Sequence, residues 1–568
     1  MKLFRFLMMT MAAIVLAGFV SCSDDATNSG GDDNADGTQT RAHISVAISV
    51  PNESATTRAS DTEGDTNDKD AGTADEFAIK NATLYFFTQG SLTAGSTYAY
   101  EGTYVQSLTI AGSSLSAATG GATDPKTYTT TSSQSVSGLK PGESYHVYAV
   151  INGTTNLTLS KSTTEKMFLE TSLAAGFSAG LVTESTLAGG TGWLMSSRGK
   201  AKDNATTPNT VQYSTLNIHI TNNATNAATT GAVSLDVERV MGKLQIKEGI
   251  TDNEYPISYT NNEGTPIKYA DVTLEEVTVL NTRTDGYLFR RIARIPLAND
   301  DAFSSLATAP VSYEKLTTAA YTNNKITTAA DYILDPRTKE KTDANIANSS
   351  YLGWYSAKSA ATNMSTLNST YSTLGYCLEN TMHSSMQING YTTGLMFKAT
   401  VVPTGNILTA GSLEDETSNT PITWNSATYP TFFNHGNRFY SSFQALANDG
   451  IITAAKAAEY ATKIAGSATD KADVLKELRD ANVTRCENGI CYYTYWIKHQ
   501  PNDQHLAVME FAIARNNVYR MAVTSISGIG GSSDTIIPED ENETTVVYLQ
   551  VELNVLPWIV REQDDIRL

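Results

Sequence analysis

The chain has 568 residues, a formal net charge of −19, and 40 % hydrophobic against 17 % charged residues. That length allows two or more domains with cores of their own. The acidity argues against nucleic-acid backbones and anionic lipid surfaces as partners, and a composition rich in Thr, Ser, Ala, Asn, Gly and Tyr suits a β-rich, loop-rich extracellular protein.

Met1-Lys-Leu-Phe-Arg5 reads as a basic n-region, and Leu7–Val20 as an apolar h-region too short to span a bilayer comfortably. The stretch ends in Phe19-Val-Ser-Cys22 and then Ser-Asp-Asp, which looks like a bacterial lipobox, although Leu is commoner where Phe19 stands. The alternative is an ordinary signal peptide with a chance cysteine. If the lipobox holds, Cys22 carries more than one acyl chain, enough for stable anchoring. No other segment reads as transmembrane. Residues 23–41 form a polar tether.

Residues 42–51 form the first expected strand, in which Ile44, Val46, Ile48 and Val50 alternate with Ser45, Ala47 and Ser49. A polar, acidic stretch follows to residue 76 and carries Arg58; its spacing fails the EF-hand pattern, and it reads as a solvated linker. Strands are then expected at Ala82–Phe87, Tyr145–Ile151, Gly192–Ser196 and Leu216–Ile220. A domain boundary is placed at 228/229, after an Asn/Ala/Thr-rich loop, with Val233–Ile246 read as one long strand opening the second half. Further strands are expected at Val272–Leu280, Thr393–Val402, Cys491–Ile497 and Asn517–Thr524. Ile452–Ile464 and Ala472–Arg479 carry 3.6-residue spacing and are expected to be two short helices on a sheet edge.

The last strand, Val547–Val555, alternates without a break: Val547, Leu549, Val551, Leu553 and Val555 against Tyr548, Gln550, Glu552 and Asn554. Pro557 and Trp558 follow, the proline ending regular pairing. Two readings stay open: a final strand of its own sandwich, or a strand that pairs elsewhere. Each end of the chain thus carries an amphipathic strand.

Cys486-Glu-Asn-Gly-Ile-Cys491 contains the Asn-Gly hairpin signal. A two-residue turn would set Cys486 opposite Cys491 at a non-hydrogen-bonded pair, with Cα atoms about 4.5 Å apart. A disulfide is expected there, two free thiols being the alternative, and Cys377 reads as a buried small hydrophobe. The seven histidines are scattered; His499 and His505 have no partner cysteine, so a zinc site is unsupported. Gly528-Ile-Gly-Gly531 lacks a phosphate-cradle context and reads as a loop, and no Gly-x-Ser-x-Gly elbow is present. Neither an enzyme, a metal nor a cofactor is indicated.

Several segments together resemble the fimbrillins of the Bacteroidia, type V pilins, and in particular the shaft subunit of the short, Mfa-type fimbriae. They are Val237-Glu-Arg-Val-Met-Gly-Lys-Leu, Tyr376–Met382 with Thr393–Pro403, Tyr492-Tyr-Thr-Tyr-Trp, Ala514-Arg-Asn-Asn-Val-Tyr-Arg-Met and Val551–Trp558. The resemblance spans the signal, the first strand and most of the second half. It implies a mainly β protein of two transthyretin-like β-sandwich domains, here 59–228 and 229–568, the second with a small helical insertion. It implies a lipoprotein precursor at the outer membrane and a mature form in the extracellular fimbrium. An Arg-specific protease would cut after Arg58, in Thr56-Thr-Arg-Ala-Ser60, and remove residues 23–58 with the strand Ile44–Val50. Arg41 is a second candidate, but a cut there leaves the strand attached. The vacated groove would take the C-terminal strand of another subunit. Partners would be copies of the chain, other pilins, the protease and an adhesion receptor, with the membrane reached only through the precursor's lipid. The alternatives are a tip or accessory pilin, or a surface-anchored adhesin lipoprotein that binds glycan or protein.

Overall fold

The computed structural model describes residues 41–50, 74–88, 102–171, 192–201, 211–213, 232–295, 321–333, 359–408, 431–499, 510–533 and 549–557, several with short breaks, and the backbone alone over 549–557. Cys22, Arg58, Val547 and Trp558 lie outside these residues. The described fold is mainly β. Residues 40–568 form one compact unit, and the described residues contain two large apolar cores, a smaller third, and a fourth of Leu280, Met396, Trp496 and Phe511.

The first sheet has eight strands. In chain order they are β1 (Arg41–Val50), β2 (Asn81–Thr88), β3 (Tyr104–Ala111), β4 (Lys126–Thr129), β5 (Gln134–Ser137), β6 (Tyr145–Ile151), β7 (Met195–Ser197) and β8 (Ala232–Arg239), with the short helix α1 (Ala74–Phe77) between β1 and β2. They run β3-β2-β6-β7-β8-β1-β4, and β5 also pairs with β1. Their inward side chains supply most of the first core. In β2 and β6 nearly every residue is buried, as expected for strands covered on both faces. A second helix, α2 (Glu165–Leu169), packs Phe168 against Tyr85, Phe87, Tyr148 and Phe289.

The stretch Val233–Ile246 is not one strand. It breaks at Val240, and the second piece, β9 (Met241–Ile246), joins a different sheet. The chain therefore passes from the first sheet to the second at Val240, twelve residues beyond the division at 228/229 read from the sequence. Gly242 marks the passage: a Cβ there would sit 3.1 Å from Ile513 Cγ2 and 3.2 Å from the Ala514 carbonyl, so a side chain would require these neighbours to shift by a few tenths of an ångström.

Two sheets enclose the second core. One has the order β12-β9-β18-β19 and the other β10-β11-β13-β17. The members are β10 (Glu254–Thr260), β11 (Pro266–Leu280), β12 (Ser372–Leu378), β13 (Gly394–Pro403), β17 (Ile490–Trp496), β18 (Asn517–Ile526) and β19 (Leu549–Pro557). Leu244, Ile246, Tyr519, Met521 and Val523 of the first sheet meet Val272, Leu274, Phe397, Val401 and Tyr493 of the second. The alternation in each strand accounts for its side of this sandwich.

The third core belongs to a lobe in which a small sheet carries three helices. Strands β14 (Phe432–His435), β15 (Arg438–Tyr440) and β16 (Val483–Cys486) pair there, beneath α3 (Phe443–Asn448), α4 (Ala454–Lys463) and α5 (Ala468–Asp480). The helices form where the 3.6-residue spacing placed them. Thr453 caps α4 by accepting from the Lys456 amide, and Ser467 with Asp470 forms a capping box on α5.

The disulfide expected between Cys486 and Cys491 is not formed: both thiols are free and buried, as is Cys377. The hairpin ladder that was to hold them opposite each other stops at the Glu487/Ile490 bridge. Beyond it the strands part. Cys486 pairs with Phe432 in the lobe's sheet, while Cys491 pairs with Ala399 in the sandwich. The two thiols remain neighbours inside the second core, and burial, then the Cys491 thiol, pushes the Cys486 thiol well above its ordinary value. Burial alone pushes Cys377 up to about 12.

Candidate functional site: the N-terminal strand and its slot

Strand β1 is internal. On one side it runs parallel to β8, with Ser45 opposite Ala232, Ile48 opposite Leu235 and Ser49 opposite Asp236. On the other side it is antiparallel first to β5, Ile44 opposite Gln134, and then to β4, Ile48 opposite Tyr128 and Val50 opposite Lys126. Where the partner changes, Thr130 fills the gap: its hydroxyl accepts from the Val46 amide at 3.1 Å, and its own amide donates to the Val46 carbonyl at 2.9 Å. Ser49 Oγ and Thr127 Oγ1 lie 3.3 Å apart on the outer face.

The alternation read from the sequence is realised without exception. Ala42, Ile44, Val46, Ile48 and Val50 are each at most 2 % exposed and belong to the first core, while the intervening residues are half-buried. Burying each branched side chain stabilises the strand by about 1.5–3 kcal/mol, and each ladder bond adds about 1 kcal/mol net. A slot without this strand would open the core between β8 and the β4/β5 pair. Sequence reasoning did not find β4 and β5, because Lys126-Thr-Tyr-Thr and Gln134-Ser-Val-Ser have too few apolar residues to show a period. The Thr and Tyr of β4 were the available signal; β5, Gln134-Ser-Val-Ser, has neither.

Strand β19 is an edge strand. It pairs antiparallel with β18 alone among the described strands, with Val555 opposite Tyr519, Leu553 opposite Met521 and Val551 opposite Val523, and a bulge before Leu549 meets Ile526. Glu552 and Asn554 stand opposite Ala522 and Arg520. The apolar positions of β19 are therefore in register with the β18 residues that line the second core. Val547 and Trp558 flank it outside the described residues.

The other residues singled out have structural settings. His499 Nδ1 lies 2.7 Å from the Tyr519 hydroxyl, which also accepts from the Ala514 amide; His505 is outside the described residues. Among the described residues no group of three or more His, Cys, Asp or Glu gathers to hold a metal. Gly531 exchanges backbone hydrogen bonds with Tyr492, and a Cβ on Gly530 would lie 2.3 Å from the Tyr492 carbonyl, so this glycine run is a close backbone approach.

One amphipathic strand, β1, is thus internal to its sheet, and the other, β19, ends its sheet among the described strands. Residues 484–564, which include β17, β18 and β19, match the family described as "Major fimbrial subunit protein type IV, Fimbrillin, C-terminal". The resemblance to fimbrillins read from the sequence is shown over that region, and the matched family is one of structural subunits. Comparison with curated proteins gives no match. Among solved structures, a protein from Parabacteroides distasonis ATCC 8503 assigned to cell adhesion is 13 % identical, covering 92 % of this chain and 99 % of its own at a TM-score of 0.36. A fimbrilin from Porphyromonas gingivalis W83 is 12 % identical, covering 93 % and 99 %, TM-score 0.34. The tip fimbrial protein Mfa3 from Porphyromonas gingivalis, with a C-terminal truncation, is 10 % identical, covering 91 % and 100 %, TM-score 0.29. Likenesses this remote assign neither a role nor a partner.

Proposed function

We propose that the protein is a structural fimbrial subunit that polymerises by strand exchange after proteolysis, and that it serves in the shaft. In this reading Cys22 anchors a lipoprotein precursor at the outer membrane. An Arg-specific protease cuts after Arg58, β1 is withdrawn, and the segment Val547–Val555 of another copy enters the slot between β8 and the β4/β5 pair. The receiving and donating lobes divide at Val240. The observation that supports this most is the match of pattern: five inward positions of β1, Ala42 to Val50, all buried, against five apolar positions of the same period, Val547 to Val555. A one-residue slip of the incoming strand would turn Gln550, Glu552 and Asn554 into the core, so the pattern also fixes parity. A subunit that ended the fibre would need no such donor, which favours the shaft.

The test is the N-terminus of fimbriae sheared from cells, expected at Ala59, together with Arg58→Ala. That variant is expected to give a folded, exported monomer and no polymer ladder on unboiled gels. Undiminished polymer from Arg58→Ala overturns the reading.

A further inference from the structure

Residues 76–80 lead from α1 into β2, immediately after the linker that carries Arg58. Side chains from five places converge on them. The Tyr376 hydroxyl of β12 donates to Glu76 Oε1 at 2.7 Å, and Lys243 Nζ of β9 lies 2.9 Å from the same oxygen. Arg239 Nε of β8 donates to the Glu76 carbonyl at 2.8 Å. The Tyr128 hydroxyl of β4 donates to the Phe77 carbonyl at 2.9 Å. Asn152, just past β6, donates to the Ala78 carbonyl at 2.8 Å and accepts from the Lys80 amide at 2.7 Å. Glu76 is 0 % and Lys243 3 % exposed. A carboxylate and an ammonium so deeply buried are tolerable only together and hydrogen-bonded, so the segment has one favourable seat.

A buried lead-in to a strand often needs such pinning simply to satisfy its backbone. What sets this one apart is its position and its independence. It begins where the linker from β1 ends, and none of the five gripping side chains belongs to β1. Two of them, Lys243 and Tyr376, come from the second sheet.

We propose that this clasp over residues 76–80 is the stop that ends chain release: once the linker is cut, β1 can leave while β2 stays in the sheet. The proposal rests on the reading that β1 is withdrawn. It sets the furthest point that N-terminal trimming can reach, beyond the cut after Arg58, and makes Glu76, Lys243 and Tyr376 positioning residues for the slot.

The full chain is digested with a broad-specificity protease, with N-terminal sequencing over time and hydrogen exchange of residues 81–88. Wild type is expected to come to rest with an N-terminus between 59 and 75 and β2 amides still protected. In Glu76→Gln and in Tyr376→Phe, which keeps the ring against Trp193, trimming is expected to pass residue 76 at least ten-fold faster. Protection of β2 should fall about ten-fold while the second core, read through β13, is unchanged. Variants that rest at the same residue at the same rate overturn the proposal, as does wild-type trimming that runs into β2 once β1 is lost. If Arg58 is not the processing site, fimbriae carry another N-terminus, but the stop at 76 under the broad protease still stands; the two failures are thus told apart.

Discussion

Strands β1 and β19 have the same alternating pattern and opposite situations. β1 lies between β8 and the β4/β5 pair, is hydrogen-bonded on both sides, and has its apolar row at most 2 % exposed. Among the described strands β19 is bonded to β18 alone, at the end of its sheet. Removing an internal strand breaks two ladders and opens a core, whereas an edge strand leaves behind a sheet that is shorter by one. The pattern in sequence states which residues want burial; the position in the sheet states what departure costs. In the proposed reading the internal strand leaves after the chain is cut, and the edge strand leaves intact.

The comparison breaks most visibly with a charge placed in each strand. Ile48→Asp puts a carboxylate where exposure is 0 %, a loss of at least about 4 kcal/mol, and no soluble precursor is expected to accumulate on a blot of exported protein. Val551→Asp in β19 is expected to give folded, exported subunit cut at Arg58 but no polymer ladder. If the Val551→Asp protein is instead degraded like Ile48→Asp, β19 is an ordinary core strand of its own sandwich and the contrast fails.

A finer distinction concerns the partner change along β1. Thr130→Val removes the hydroxyl that accepts from the Val46 amide and should lower precursor stability by about 1 kcal/mol, seen as a lower urea midpoint. After cleavage and loss of β1 the same substitution should change stability by less. The smallest effect is chemical. Denatured mature protein should take up three alkyl groups, at Cys377, Cys486 and Cys491, with or without prior reductant, because all three thiols are free. A mass short by two labels without reductant would restore the bond that the diverging strands argue against.

Much of the fold was legible because burial follows period. β1, β2, β6, β11, β13, β18, β19 and helices α4 and α5 each announced themselves by alternation, a continuous apolar run or 3.6-residue spacing. The rest was hidden for particular reasons. β4 and β5 are Thr- and Ser-rich, so the walls of the slot show no apolar period. The break at Val240 lies inside a stretch, Val233–Ile246, that reads as one long strand, and only Gly242 hints at it. The Asn488-Gly489 turn was read correctly as a turn, but a turn does not say that its two arms enter different sheets. The clasp is the least legible part: Glu76, Lys243 and Tyr376 come together from three distant segments, and no spacing in the chain announces that.

The parallel pairing of β1 with β8 has a consequence for time rather than for energy. The partner of Ser45 is Ala232, so although β4 and β5 can pair with β1 earlier, its slot is not complete until almost the whole first half of the chain is available. Such distant closure is slow, since the loop entropy is lost before the contacts form. A precursor crossing a membrane N-terminus first would hold β1 with its β8 side unpaired while β2, β3 and β6 assemble from near neighbours. If β1 is later cut away, the chain that remains cannot recover it from its own sequence. Its fold would then record the order in which it was made, and unfolding it once would be irreversible.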